Sequence, residues 1–229
     1  MKTALSLRVT LLALFLGLTV GARAQVVLAK WTFETSIPTT GGPLTPEIGT
    51  GSATSNTGGT FSNPVGNGSA ESWSSNGWDV GDYFQFTVNG EGYSMFALSW
   101  NQTGSNTGPK SFALAYSLDG TNFTNLLSYD LLNVTWSSGA ESVATTDDFS
   151  FSLALPELAA GEITFRLADT STVAINGTTV ASTGTNRVDN FSVTGSIAAV
   201  PEPSTYAAML AGLALVGGVS LYRRRRNAA

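Results

Sequence analysis

The sequence predicts an all-β domain, a jelly-roll-like antiparallel β-sandwich, and three observations lead to this fold class. Apolar side chains recur at every second position, as in residues 82–88, where Phe84, Phe86 and Val88 share one face. Such alternation buries one face and exposes the other, as antiparallel sheets do. Outside the two ends of the chain, no helical period persists. The runs are long and the chain has no cysteine, which favours a jelly roll over an immunoglobulin-type sandwich.

Eight or nine strands are expected. The alternating runs are, in chain order, 26–33, 82–88, 95–100, 111–118, 123–129, 148–155, 163–168 and 188–194. Asp119 and Gly120 form a strong turn signal between the runs 111–118 and 123–129. The polar segments 35–60 and 132–146 are too long for hairpins, so they are expected to cross between the two sheets. We expect the first and last strands to lie side by side, as terminal strands do in a jelly roll.

Residues 1–24 predict a secretory signal peptide. Lys2 and Arg8 precede an apolar run, and Ala22 and Ala24 provide the small-x-small pattern that a signal peptidase cuts. The alternative is a short transmembrane anchor, but the apolar run is brief and a good cleavage site follows it. Export is therefore expected, with a β-sandwich domain over residues 25–196.

Residues 197–229 predict a tail that crosses a membrane once. The residues between Pro203 and Arg223 are apolar, small or hydroxylated, and as a helix they nearly span the hydrocarbon thickness of roughly 30 Å. A cluster of arginines follows and resists translocation; it consists of Arg223, Arg224, Arg225 and Arg226. A buried core helix is the alternative, which the arginine cluster disfavours. The positive-inside rule places the C-terminus in the cytoplasm and the sandwich on the outer side of the cytoplasmic membrane.

The tail has three features in a fixed order: Pro201, Glu202 and Pro203 come first, and the apolar helix and the terminal arginine cluster follow. This order resembles the PEP-CTERM sorting signal of exported bacterial proteins. Two prolines favour an extended, accessible strand at the tripeptide. The resemblance implies an exosortase that recognises the tripeptide, cuts near it and sends the protein to the cell surface.

The predicted domain is similar to a sandwich module of exported bacterial proteins. The likeness rests on residues 68–73, 80–86, 101–109, 116–123 and 187–191. It implies a scaffold and names no activity.

Composition excludes several function classes. Residues 25–200 contain four basic and fifteen acidic residues, a net charge of −11. Nucleic acids and anionic lipids need a cationic surface, so no nucleic-acid partner is expected. The chain has no histidine and no cysteine, which excludes a Ser-His-Asp triad, a thiol nucleophile and imidazole- or thiolate-bound zinc.

Glu34 and Asp189 are the candidate ligands of a structural calcium ion. They follow the first predicted strand and lie on the last, where their oxygens suit a hard cation. The alternative is that Asp189 pairs with Arg187 or caps a bulge, and that Glu34 only ends a strand.

Trp73 and Trp78 are the candidates for stacking on sugar rings. They lie in a Gly-, Ser- and Asn-rich stretch outside clear alternation, where exposed indoles are expected. The alternative is that both close the end of the sandwich.

A carboxylate-dependent glycan hydrolase is the enzymatic alternative. Its acid and nucleophile would come from Glu71, Asp79, Asp82 or Glu91, although solvated loop carboxylates are the favoured explanation of these residues.

The sequence as a whole favours an exported, non-enzymatic protein of the cell surface or extracellular matrix. Signal peptidase and exosortase would process it, and its domain would be structural or associated with glycan or exopolysaccharide. A calcium-dependent carbohydrate-binding module is the first alternative, and the hydrolase is the second.

Overall fold

The computed structural model describes residues 25–35, 38–141, 145–155 and 161–197, together with Gly212. Within these ranges the chain forms twelve β-strands and one 3-10 turn, Thr145–Asp147. The strands are β1 Val26–Trp31, β2 Ile48–Gly49, β3 Gly51–Ser55, β4 Phe61–Ser62, β5 Trp73–Ser75, β6 Tyr83–Asn89, β7 Met95–Gly104, β8 Ser111–Ser117, β9 Thr124–Asp130, β10 Asp148–Ala154, β11 Glu162–Asp169 and β12 Asn186–Ser196. All of them belong to one compact unit.

The strands form two antiparallel sheets, so the predicted β-sandwich is confirmed. Sheet A has the order β10-β7-β12-β1-β2, with β5 paired to β12 and β4 to β5, and sheet B has the order β3-β6-β11-β8-β9. The eight long strands follow the orders β1-β12-β7-β10 and β6-β11-β8-β9. This is the connectivity of a jelly roll.

The first and last strands pair in the middle of sheet A, as the sequence predicted. Val26 lies opposite Gly195 and Trp31 opposite Phe191, with one irregularity between Val27 and Ala29. β1 ends earlier than predicted because Phe33 takes a left-handed conformation, with φ 59°.

The core between the sheets consists mainly of aromatic rings. Phe86 of sheet B stacks on Phe191 of sheet A, with ring centroids 3.6 Å apart and planes within 5°. Trp31 meets both rings edge-on, at 5.2 and 6.1 Å. Aromatic side chains bury large apolar areas, so this cluster carries much of the stability of a domain without disulfides.

Segments 35–60 and 132–146 cross between the sheets, as predicted, but the first contains strands that alternation did not reveal. β2 pairs with β1 in sheet A, and β3 pairs with β6 in sheet B. Gly49 has φ 78° at this change of sheet, and a Cβ there would collide with the Leu28 carbonyl. The strands are short and rich in Gly, Ser and Thr, so they lack the apolar alternation that predicts a strand.

No helix within the described ranges is both long enough and apolar enough to cross a bilayer. The predicted signal peptide lies outside the described residues, and so does the predicted tail helix except for Gly212.

Candidate functional site

The solvent-facing side of sheet B, which we call the outer face, carries polar rows that run across the strands. Residues directly opposite each other in antiparallel strands share a face. One row consists of Thr54, Gln85, Arg166, Ala115 and Asn125. A second row consists of Ser52, Thr87, Thr164 and Ser117. The rows cross four or five strands, roughly 15 to 20 Å at the usual strand spacing.

Arg166 lies at the centre of the outer face between two aromatic rings. Its guanidinium carbon is 3.9 Å from the centroid of the Tyr83 ring and 3.7 Å from that of Phe123. Both rings are therefore in contact with the guanidinium, one from the first residue of β6 and the other from the turn before β9. Burial lowers the pKa of Arg166. The stack therefore holds the arginine in one orientation.

Hydrogen bonds link this stack to the neighbouring strands. Arg166 donates from Nε to Oε1 of Gln85 at 2.8 Å, and Gln85 donates from Nε2 to Oγ1 of Thr54 at 3.3 Å. The hydroxyls of Thr87 and Thr164 lie 3.0 Å apart in the next row. Amides, hydroxyls and a guanidinium thus share one sheet face with the ring edges.

A floor of small residues on β8 lies next to the stack. Ala113, Ala115 and Ser117 share the outer face with their β11 partners, yet they are only 2–4% exposed. Phe123 precedes β9 and touches Arg166 on β11, so its ring must reach across β8. The small side chains therefore lie below taller neighbours, which cover them.

The turn before β9 places Phe123. The Asp119 carboxylate accepts hydrogen bonds from the backbone N–H groups of Asn122 (2.7 Å) and Thr121 (2.8 Å) and from the hydroxyl of Ser117 (2.9 Å). These bonds, the one from Asn122 first, hold the pKa of Asp119 far below its usual range. Gly120 supplies the positive φ of 73°. The turn that Asp119 and Gly120 form therefore positions the Phe123 ring on the outer face.

Glu34 and Asp189, the predicted calcium ligands, both reach the loop of residues 66–71. Asp189 Oδ2 accepts from the Asn67 N–H and the Ser69 hydroxyl, both at 2.8 Å. Glu34 accepts from the Glu71 N–H at 2.8 Å. The two carboxylates therefore hold one loop between the first and last strands.

Asp189 is fully buried, and burial raises its pKa to about 6 despite its hydrogen bonds to Ser69, Asn67 and Asn190. Repulsion from Glu34 contributes to the same shift. Among the described residues, no three acidic side chains are grouped so that they would hold a metal ion. A calcium ion bound by Glu34 and Asp189 would have to share oxygens that already accept hydrogen bonds. Calcium at this place remains a prediction.

Trp73 and Trp78 do not lie on the surface, which corrects the expectation of exposed indoles. Trp73 is 0% exposed and packs against Phe84 at 4.8 Å, and Trp78 is 5% exposed with Phe84 at 5.0 Å. Trp73 Nε1 donates to the Thr40 carbonyl and Trp78 Nε1 to that of Ser75. Both rings therefore belong to the core, and the structure places them away from any stacking surface.

The four carboxylates proposed for a hydrolase do not form one cluster. Asp82 precedes β6 and Glu91 follows it, so their backbones are roughly 20 Å or more apart, beyond the 6.5 to 9.5 Å of an inverting pair. Glu71 accepts a hydrogen bond from Asn63 Nδ2 at 2.7 Å, in another loop. Asp79 and Asp82 are close, since Asp82 Oδ2 accepts from the Asp79 N–H at 2.8 Å.

Asp169 is the titratable neighbour of Asp79 and Asp82. Burial raises its pKa to about 6, and repulsion from these two carboxylates adds to the shift. Its side chain is 2% exposed, and Oδ2 has no hydrogen-bond partner among the described residues. A general acid must touch its substrate, which a group at this depth does not.

The chain is thus a jelly-roll domain followed by a separate C-terminal signal. The family model of the PEP-CTERM protein-sorting motif matches residues 199–226. The chain therefore carries this motif, as the sequence predicted, and the motif implies export and exosortase-mediated sorting. Pro201, Glu202, Pro203 and the arginine cluster lie within the match but outside the described residues.

Solved structures similar to this chain include carbohydrate-binding and adhesin domains. The CBM22-1 xylan-binding domain of Xyn10C from Paenibacillus barcinonensis is 8% identical, with a TM-score of 0.47 over 78% of this chain and 100% of that chain. The K3 cleaved adhesin domain of Lys-gingipain from Porphyromonas gingivalis is 16% identical, with a TM-score of 0.44 over 74% and 100%. No curated protein matches by sequence. With such identities and TM-scores, these similarities do not extend to function.

Sequence reasoning missed the outer-face stack. Alternation in 163–168 placed Arg166 on the solvent side, but nothing in one strand indicates that Tyr83 and Phe123 meet it. The available signal was the scarcity of cations, since Arg166 is one of only four basic residues between 25 and 200.

Proposed function

We propose that this protein is a non-enzymatic component of the cell surface or extracellular matrix, sorted there by an exosortase, whose sandwich associates with glycan through the outer face of sheet B. Before processing, the tail would hold it as a single-pass protein of the cytoplasmic membrane with the sandwich outward. The arrangement of Tyr83, Arg166 and Phe123 beside the polar rows carries the glycan part of this proposal.

Saccharides present hydroxyls around apolar ring faces, so a surface that binds them combines hydrogen-bonding groups with apolar or aromatic area. The outer face offers Gln85 and Thr54 in one row, Thr87 and Thr164 in the next, and ring edges beside them. Below these groups lies the floor of Ala113, Ala115 and Ser117. These side chains are held by pairing within one sheet, which limits the entropy lost on binding.

The burial and hydrogen bonding of the acidic side chains support a non-enzymatic role. The two carboxyl groups with a pKa of about 6, Asp169 and Asp189, are 2% and 0% exposed. Both accept hydrogen bonds from neighbouring backbone N–H groups. Their raised pKa values follow from burial in the framework of the domain.

A glycan array probed with the full-length chain in detergent tests the proposal. We expect selective binding that falls at least about tenfold in Gln85→Ala and in Tyr83→Ala, since each removes a contact group of the outer face. Ser152→Ala, an exposed change on β10 of sheet A, is the matched control and is expected to bind like the original chain. Binding that survives both outer-face changes, or no binding to any glycan, contradicts a glycan role for this face.

A further inference from the structure

Arg166 is a cation without an acidic partner among the described residues. Among the described residues, the structure shows an ion pair between Lys110 and Asp130, at 3.2 Å. Arg187 donates to the Val65 carbonyl at 2.9 Å and feels the charge of Asp189. Arg166 has only Gln85, an uncharged acceptor, and two rings.

The contacts of Arg166 leave one edge of the guanidinium available. Tyr83 and Phe123 contact the guanidinium, and Gln85 takes the Nε hydrogen at 2.8 Å. In the described part of the chain, the terminal nitrogens Nη1 and Nη2 of Arg166 donate no hydrogen bond. They are not buried polar atoms without partners, so both remain accessible. Two parallel N–H groups on one edge match the two oxygens of a carboxylate.

The residues directly beside Arg166 are uncharged, although residues 25–200 carry a net charge of −11 and the Asp119 carboxylate lies in the turn that places Phe123. The partners of Arg166 across the sheet, Gln85 and Ala115, are uncharged. Glu162 lies four residues along β11, roughly 13 Å away, and Asp130 is paired with Lys110. At physiological salt, interactions between exposed charges more than about 8 Å apart are largely screened. Distant acidic residues therefore oppose an anion at Arg166 only weakly. The remaining acids do oppose a dense polyanion such as a nucleic acid.

We infer that the outer face binds an acidic saccharide and that the carboxylate of a uronic-acid residue forms a two-pronged ion pair with Arg166. Neighbouring sugar hydroxyls would bond to Gln85 and the threonines of the next row. This inference rests on the proposed glycan role and adds the chemical class of the glycan. A stacked and partly desolvated arginine is already oriented, so little conformational freedom is lost when the anion binds.

The test compares polysaccharides that differ only in the carboxylate. Full-length protein in detergent is titrated calorimetrically with short oligosaccharides of polygalacturonate, alginate and hyaluronan, which carry few charges, each against its carboxyl-esterified form. We expect at least one acidic form to bind about tenfold or more tightly than its ester, with the preference shrinking as salt is added.

Three variants test whether Arg166 causes the preference for the acidic form. Arg166→Gln is expected to bind acid and ester equally, and Arg166→Lys to retain only part of the preference, because lysine lacks the two-pronged edge. Lys110→Gln removes a paired cation from the same domain and is the matched control, expected to keep the preference. Equal melting temperatures of the variants confirm that each is folded.

The outcomes separate the two proposals. Equal binding of acid and ester by the original chain, or a preference that persists in Arg166→Gln, overturns the uronic-acid assignment and leaves glycan association standing. Silence toward every polysaccharide, acidic or esterified, overturns glycan association itself.

Discussion

At the residue scale, the buried carboxyl groups of Asp169 and Asp189 make the stability of the domain depend on pH. The pKa of each is raised to about 6, so the folded chain binds protons more readily than the unfolded chain, where an aspartate titrates near 3.9. The charged carboxylate is therefore the destabilising form. The stability that these two groups contribute is present in full below about pH 4 and is lost as pH rises through 6.

Asp169→Asn should stabilise the domain at pH 7 by roughly 2 kcal/mol, because it removes a charge that is 2% exposed and lies near Asp79 and Asp82. Its amide oxygen can still accept from the Ser171 N–H. Urea unfolding at pH 7 and pH 5 measures the effect, and the free energy of unfolding should change less between these values than in the original chain. Glu91→Gln, at an exposed position, is the control and should leave that difference unchanged. A loss of stability at pH 7 in Asp169→Asn would count against this account.

Gly66 lies against Asp189 at the start of the loop of residues 66–71. A Cβ there would collide with the Ser69 hydroxyl, the Glu71 carbonyl and the Asp189 carboxylate. Gly66→Ala should therefore lower the free energy of unfolding by about 1 to 3 kcal/mol, as overpacking does. Gly58→Ala is the matched control, since no atom lies within 4 Å of the added carbon. Equal stability of the two variants in urea would show that the loop is not packed as described.

At the element scale, the two sheets are coupled through Phe86 and Phe191. We expect Phe86→Leu and Phe191→Leu each to cost about 1 to 3 kcal/mol. The double variant should cost about 1 kcal/mol less than the sum of the single changes, because the rings stack with centroids 3.6 Å apart. Urea unfolding of the four proteins gives this coupling energy. Phe151 on β10 makes no ring contact with Phe86 in the described structure, so changes at Phe86 and Phe151 should be additive.

Elements with apolar alternation were predictable, and elements without it were not. Val88 and Leu114 mark their strands because a period of two is visible in each segment. β3 consists of Gly, Ser, Ala and Thr, and β5 is only Trp-Ser-Ser, so both form because neighbouring strands offer unpaired backbone groups. The same limit applies to the site: contacts such as that of Arg166 with Phe123 join residues 43 positions apart, and a period within one strand does not report them.

At the scale of the whole molecule, the motif at residues 199–226 makes sorting testable. Replacing Pro201, Glu202 and Pro203 with alanine should leave a longer, membrane-associated product, because the exosortase would lack its recognition tripeptide. Immunoblots of membrane, envelope and medium fractions measure this. Ser204→Ala, next to the tripeptide, is the control and should be processed normally. Unchanged processing of the triple variant would remove the tripeptide from the mechanism.

Calcium is tested on the intact chain by thermal unfolding. A structural ion at Glu34 and Asp189 predicts a melting temperature that rises with calcium by ligand linkage, falls with EDTA and loses this response in Glu34→Gln. Glu91→Gln should keep the response. Identical melting curves with calcium and with EDTA would assign Glu34 and Asp189 solely to holding the loop of residues 66–71.

The pairing of β1 with β12 also has a consequence for when the protein can fold. β1 emerges first from any export channel, but its hydrogen-bonding partner is complete only at Ser196, just before the sorting motif starts at residue 199. Such non-local pairing folds slowly, because a long stretch of chain must be ordered before the contact forms. Because this pairing is slow, closure of the central sheet would follow the arrival of the sorting signal during export, and the signal would be presented by a domain that is still folding.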